Sequence, residues 1–232
     1  MTDCTEYVSP THIFGSKSHG SACDFFPLSN TNNLNFLQSY SALPKLYYTE
    51  IKTTMATTKP YTRVLDFWFG PKTSPTYLQE KPFWYGSTPK VDAHVRTHLG
   101  ADYEAAQSGA LDPWQHLGHG EGALALILLL DQVPRNIFRG TPRAYATDAK
   151  AVDVARYAVL EKGWDRGMEG IMRRYMYSPF NHSEKVEDQE VSVRLFEGLG
   201  DEYHLSWARR FYEMVKRDGR FVHRDGVLGR NR

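Results

Sequence analysis

Three polar segments of this 232-residue chain hold the side chains best suited to chemistry. The first, Asp131-Gln132-Val133-Pro134-Arg135-Asn136, follows directly on the apolar run Ala123 to Leu130. A carboxylate beside such a run is costly unless paired or hydrogen-bonded, and Arg135 is the nearest cation. Two readings follow. Asp131 can form a capping and salt-bridge corner where Pro134 starts a new turn, or it can line a pocket in which Gln132, Arg135 and Asn136 bind a ligand. The second segment, His182-Ser183-Glu184 with Asp188-Gln189, sets an imidazole just before a helix start, where it can face a cavity and move a proton near neutral pH. Asp188 and Gln189, a turn later, can reach the same cavity. The competing reading makes His182 a loop residue with one hydrogen bond. The third, Gly219-Arg220-Phe221-Val222-His223-Arg224, gathers cations around an aromatic ring. Guanidinium forks grip carboxylates and phosphates, so Arg220 and Arg224 suit an anion, with His223 as acid or base beside them. The same charges can instead tie the tail to the helices.

Other chemistries find less support. No His-Glu-x-x-His pattern occurs, and His182 with its neighbouring carboxylates lacks the spacing of a metal site, so no metal is expected. Ser183 has no G-x-S-x-G setting. Gly118-His119-Gly120-Glu121-Gly122 matches neither nucleotide-binding glycine pattern and reads as a hinge into the apolar run; no cofactor is implied. Both cysteines, Cys4 and Cys23, precede residue 24, which removes thiol nucleophiles and thiolate ligands from the remainder.

The 28 basic and 27 acidic residues nearly cancel, giving a formal charge of +1, and no specific nucleic-acid signal emerges. The apolar run of eight residues is far short of the roughly twenty that span a bilayer. No secretory or arginine-rich targeting pattern opens the chain, which makes the cytoplasm the default compartment.

The elements that must position these groups are helical. Residues 1–60, rich in Ser, Thr, Asn and Pro, read as a flexible or loosely packed leader, with Met55 a conceivable alternative start; residues 61–232 read as one helical domain. Val64 to Phe69 is too uniformly apolar to assign by period alone; a short buried helix ending at Gly70-Pro71 is expected, with a β-strand as the alternative. A helix over about 90–107 turns Val91, Val95, His98, Leu99, Asp102 and Ala106 to one side. The segment from about Gly120 to Val133 is apolar on every face and should be central. Thr147 is expected to cap a helix stopped by Gly163. A helix over about 168–177 should end before Pro179. Another follows over about 183–199, with Ser183 as its cap, and a last one over about 202–217 precedes the glycine-rich tail. The fold class is therefore all-α, built of antiparallel helical pairs joined by short loops.

The stretches VLDFWFG (64–70), LALILLLDQVPRNIFRGTPRAYATDAKA (124–151), YSPFNHSEKVEDQEVSVRLF (177–196) and GRFVHRDGVLGR (219–230) resemble, in order, those of domain-of-unknown-function family 924. The resemblance implies a helical fold similar to tetratricopeptide-repeat structures and no defined activity. It matches Asp131, Gln132, Arg135 and Asn136 to one family motif, His182, Glu184, Asp188 and Gln189 to a second, and Arg220, His223, Arg224 and Arg230 to a third. Asp218, Val222, Asp225 and Phe211 depart from the family's usual aromatic, proline, asparagine and histidine. No 34-residue internal repeat is legible in the sequence.

Two functions are expected from this pattern. One is a small-molecule hydrolase, isomerase or cyclase in which His182 works with Asp131 or Asp188, and Arg220 or Arg224 orients an anionic or polar substrate. The other is a noncatalytic helical module that binds a protein partner or assists a biosynthetic enzyme.

Overall fold

The computed structural model describes residues 59–86 and 88–230, so the expectations for the leader, Cys4, Cys23 and Met55 lie outside the described residues. No strand occurs among the described residues, and the fold is all-α with helices packed in consecutive pairs.

Helix α1 (Thr62–Phe69) forms as its apolar hexad suggests, burying Val64, Leu65, Trp68 and Phe69. It ends at Gly70, whose φ of 85° lies where a Cβ is disfavoured. After the short α2 (Pro82–Tyr85), helix α3 (Pro89–Gln107) starts at Thr88, whose hydroxyl oxygen accepts from the Val91 amide. The inward face of α3 is Val95, Leu99, Tyr103 and Ala106. His98, expected inward, is exposed and rests against Phe67 at 5.1 Å between ring centroids. Tyr103 takes the core position instead, because 95, 99, 103 and 106 lie in one helical row.

The centre is a single helical rod in three parts: α4 (Glu121–Ile127), a π-helical turn over Leu128–Gln132, and α5 (Val133–Ile137). Every side chain from Ala123 to Asp131 is fully buried. Helix α4 packs against α1, α6 (Asp148–Ala155), α7 (Gly170–His182) and the 3-10 turn Asp112–His116, which explains why no face of it is polar. The approach to that turn is close: a Cβ at Gly122 would stand 2.1 Å from the Trp114 carbonyl oxygen.

Pro134 does not break the rod. It has no N–H to offer the Leu130 carbonyl, and Thr147 supplies the missing donor, its Oγ1 lying 2.5 Å from that oxygen. Thr147 thus stands at the N-cap position of α6, but its hydroxyl is spent on the neighbouring helix and makes no cap bond. Helix α6 passes into a second π-helical turn, Arg156–Glu161, ahead of Gly163.

Two boundaries besides the end of the central rod differ from expectation. Helix α7 runs through Pro179 to His182, because Tyr175, Met176, Tyr177, Pro179 and Phe180 are all buried and their packing outweighs the roughly 3 kcal/mol that an interior proline costs. Helix α8 (Val186–Leu199) starts three residues later than expected, with Lys185 at the N-cap position. The buried Ser183 hydroxyl accepts from the Lys185 amide at 3.2 Å and donates to Asp188 Oδ2 at 2.8 Å. Helix α9 (Glu202–Asp218) packs on α8, and its start is capped by Asp201, whose carboxylate accepts from the His204 amide. The tail is folded as a 3-10 turn, Val222–Arg224, and α10 (Asp225–Leu228), with Phe221, Arg224 and Asp225 buried.

Candidate functional site

The π-helical turn and the continuation of α7 past Pro179 have one joint consequence: they bring Asp131 and His182 together. His182 Nδ1 lies 2.9 Å from Asp131 Oδ1 and 3.0 Å from Oδ2. A carboxylate on Nδ1 holds the proton there and leaves Nε2 as the basic nitrogen. Nε2 has no hydrogen-bond partner among the described residues, and the side chain is 22% exposed. Burial lowers the pKa of His182 and the nearby Arg135 adds to this; together they outweigh Asp131, so the imidazole sits below its ordinary range and is neutral at neutral pH.

Asp131 is held the other way. Burial would raise its carboxyl, but Arg135, 3.2 Å away, His182 and the Gln132 amide more than compensate and keep it well below the usual carboxylate range. Arg135 completes a fork-to-fork pair with Asp148, both hydrogen bonds at 3.0 Å, and donates also to the Asp131 carbonyl. Asp148 accepts in addition from Arg224 Nη1 at 3.3 Å. The Arg224 guanidinium packs against two rings, 4.6 Å from the Tyr145 centroid and 4.4 Å from that of Phe221. Alternating charges therefore run from Asp131 through Arg135 and Asp148 to Arg224, with the neutral His182 hydrogen-bonded at the Asp131 end, so that residues 131, 182 and 224 of the three segments are joined.

A second ring of contacts fixes the tail. Glu184 accepts from the Phe221 amide at 3.0 Å and pairs with Arg230 at 2.8 Å. Burial would raise the Glu184 carboxyl, but these donors hold it below its usual value. Arg220 pairs with the buried Asp225 at 3.0 Å at the outer edge. His223 is exposed and packs against Phe221 at 5.5 Å; partial burial and Arg224 lower its pKa.

The matching family model, described as bacterial protein of unknown function (DUF924), covers residues 64–232. The chain belongs to the DUF924 family. Among solved structures, this DUF924 chain is similar to a protein of unknown function from Agrobacterium tumefaciens, at 35% identity and a TM-score of 0.64, over 74% of this chain and 90% of that one. No curated protein matches it.

Within this DUF924 chain the remaining expected site residues fall into two groups. Gln132 bonds to Asp131, and Asn136 accepts from Arg139 at 3.3 Å, so both belong to the central rod's own polar edge. Asp188 bonds to Ser183 and Arg156 and makes no hydrogen bond with His182. Gln189 closes the α7–α8 turn, its Nε2 donating to the carbonyls of Phe180, Asn181 and Ser183. Tyr145 and Asp148 were not singled out from the sequence. Asp148 reads there as a favourable first-turn acid, and only its spacing of 13 residues from Arg135 across a proline-containing turn hints at the bridge. Among the described residues no group of three or more His, Cys, Asp or Glu side chains is placed to hold a metal ion. Nor is any helix of the described residues long and apolar enough to cross a membrane.

Proposed function

We propose that the chain is a small-molecule enzyme of the hydrolase, isomerase or cyclase type, with His182 as general base or acid and Asp131 as the group that orients and polarises it. The observation that carries this is the His182–Asp131 contact: an imidazole anchored at Nδ1, neutral, and presenting Nε2 without a protein partner. That is the arrangement a proton-transfer step requires, geometry first and ionisation second. Asp188 is a poorer choice of partner because its carboxylate is occupied by Arg156 and Ser183. Of the two arginines, Arg224 is better placed than Arg220 to orient a substrate, since it shares Asp148 with Arg135 while Arg220 pairs outward with Asp225.

Buried ion networks add a further argument. Replacing them with apolar residues of similar size is often neutral or stabilising, so their presence beside an apolar rod is better accounted for by a working site than by stability. The consecutive packing of α7, α8 and α9 supports a tetratricopeptide-repeat-like stacking of this half. Helices α7 and α9 begin at Gly170 and Glu202, close to the roughly 34-residue period of such repeats. An α7–α8 packing angle unlike that of a repeat unit would remove that comparison.

The test of the catalytic reading is turnover of a metabolite pool by the purified protein, with His182→Ala alongside. Loss of product formation in the variant is expected. Turnover unchanged by the substitution, or a macromolecular partner whose binding ignores residues 131, 182 and 224, would reject it in favour of the interaction module.

A further inference from the structure

His182 is the last residue of α7, where a helix leaves its final carbonyls without backbone donors. A single side chain serves three of the oxygens around it. Gln189, near the start of α8 and fully buried, donates from Nε2 to the carbonyls of Ser183 at 2.6 Å, Asn181 at 3.0 Å and, most weakly, Phe180 at 3.3 Å. The main chain is thus held on both sides of His182. These contacts decide the orientation of the amide, since a flipped one would set Oε1 against three carbonyl oxygens. In the orientation observed, Oε1 is enclosed and has no hydrogen-bond partner among the described residues. An unmet buried acceptor costs about 1–3 kcal/mol, which offsets part of what the donated bonds contribute to stability. Two further residues of α8 brace the same stretch: Ser192 Oγ donates to Asn181 Oδ1 at 3.2 Å, and the Asp188 carboxylate accepts from the Ser183 hydroxyl at 2.8 Å.

We propose that Gln189 is a positioning residue for His182: by holding the carbonyls of residues 180, 181 and 183 it sets the main chain at 182 so that the imidazole meets Asp131. Its part in catalysis rests on the reading of His182 given above, while the positioning itself does not. The imidazole reaches from the end of α7 to the central rod, with Nδ1 2.9 Å from Asp131 Oδ1. A shift of the main chain at 182 by about 1 Å would carry that contact out of hydrogen-bond range. Either nitrogen of a neutral imidazole can carry the proton, so the ring would then lose what keeps the proton on Nδ1 and leaves Nε2 basic. A reacting group needs its supporting contacts to hold it within about 0.5 Å, and the Gln189 amide supplies them from a rigid helix.

The experiment is 15N NMR of the histidine rings in the intact protein, which separates protonated from unprotonated ring nitrogens. Two variants are compared with the parent: Gln189→Met, which fills the space without donors, and Gln189→Glu, whose neutral carboxyl offers one. His182 of the parent is expected in the Nδ1–H form alone. Gln189→Met is expected to show a mixture of both tautomers, with the Nδ1–H signal lost to solvent exchange, and Gln189→Glu to fall between the two. Where turnover is measured, kcat should drop about tenfold or more in Gln189→Met with KM within about twofold, as for a reacting group slightly misplaced. A folded Gln189→Met whose His182 ring matches the parent's would overturn the proposal and leave Gln189 a part of the turn alone. Should the methionine variant fail to fold, an unchanged ring in Gln189→Glu overturns it equally. A ring that responds in a protein without turnover would leave the positioning standing and remove the catalytic role of His182; turnover with a ring indifferent to both variants would do the reverse.

Discussion

Asp131→Asn is the substitution that presses hardest on the site's electrostatics, because it keeps the shape of the side chain and removes its charge. Asp131 is fully buried and lies 3.2 Å from Arg135. At an effective dielectric of about 20, two charges at that separation attract by about 5 kcal/mol. Much of this is offset, since the amide no longer carries a buried carboxylate's desolvation. Arg135 is also not orphaned: its two 3.0 Å bonds to Asp148 remain, so the full 3–5 kcal/mol typical of breaking a buried pair does not apply. Weakening a charged hydrogen bond to His182 into a neutral one removes roughly another 1 kcal/mol. The expected loss of folding stability is about 2–3 kcal/mol, measured by urea denaturation at neutral pH.

The same variant makes a second demand whose sign is independent of the first. Burial and Arg135 lower the His182 pKa, and Asp131 raises it. With the carboxylate gone, its support is lost while Arg135 remains, so His182 should titrate at still lower pH than in the parent. Following the imidazole Cε1–H resonances by NMR reads this directly. A higher His182 pKa in Asp131→Asn, or a stability within about 0.5 kcal/mol of the parent, the range of ordinary surface changes, would refute the reasoning.

Two further outcomes are expected. Burial is the leading cause that holds both His182 and His204 below the ordinary histidine value, so between about pH 6.5 and their folded values the unfolded chain binds more protons. Acidification through that window should lower stability by up to about 1.4 kcal/mol per pH unit for each of them, and His204→Gln should flatten the slope; urea midpoints that stay level from about pH 7.5 to about pH 5.5 would contradict this. Gly122→Ala should destabilise by about 1–3 kcal/mol in a thermal melt although alanine favours helix, because its Cβ would meet the Trp114 carbonyl oxygen; an unchanged or higher Tm would show that the α4 contact yields easily.

The elements that a sequence pattern reports well are those whose burial is one-sided or total. Val64 to Phe69, the run from Ala123 to Leu130, and the amphipathic span of α9 form where expected, since their periodicity records their packing. Local rules failed where a distant partner takes over a local role. Pro179 should end α7, but buried neighbours on both sides carry the helix through it. Ser183 and Thr147 look like caps, yet Ser183 turns to Asp188 and Thr147 to the Leu130 carbonyl stranded by Pro134. The polar segments themselves were legible as positions of interest; Tyr145 and Asp148 were not, because their significance lies in partners 79 and 76 residues away at Arg224.

Those failures of local rules are concentrated at the site, and the coincidence has a physical reason. Asp131 sits in a π-helical turn and His182 in the turn after an interior proline, two departures from regular helix that each cost stability. An uninterrupted α-helix over 121–137 would keep Asp131 and Arg135 as neighbours four residues apart but turn both relative to the buried residues of α4, and a helix ended before Pro179 would leave His182 in a loop without a fixed ring. The irregularities and the charge chain therefore depend on each other: the backbone places the carboxylate and imidazole at 2.9 Å, and the pairing of Asp131 with Arg135 and His182 offsets the burial of its charge. Removing any one member should for this reason disturb the others more than simple addition predicts, as interactions within a shared network do.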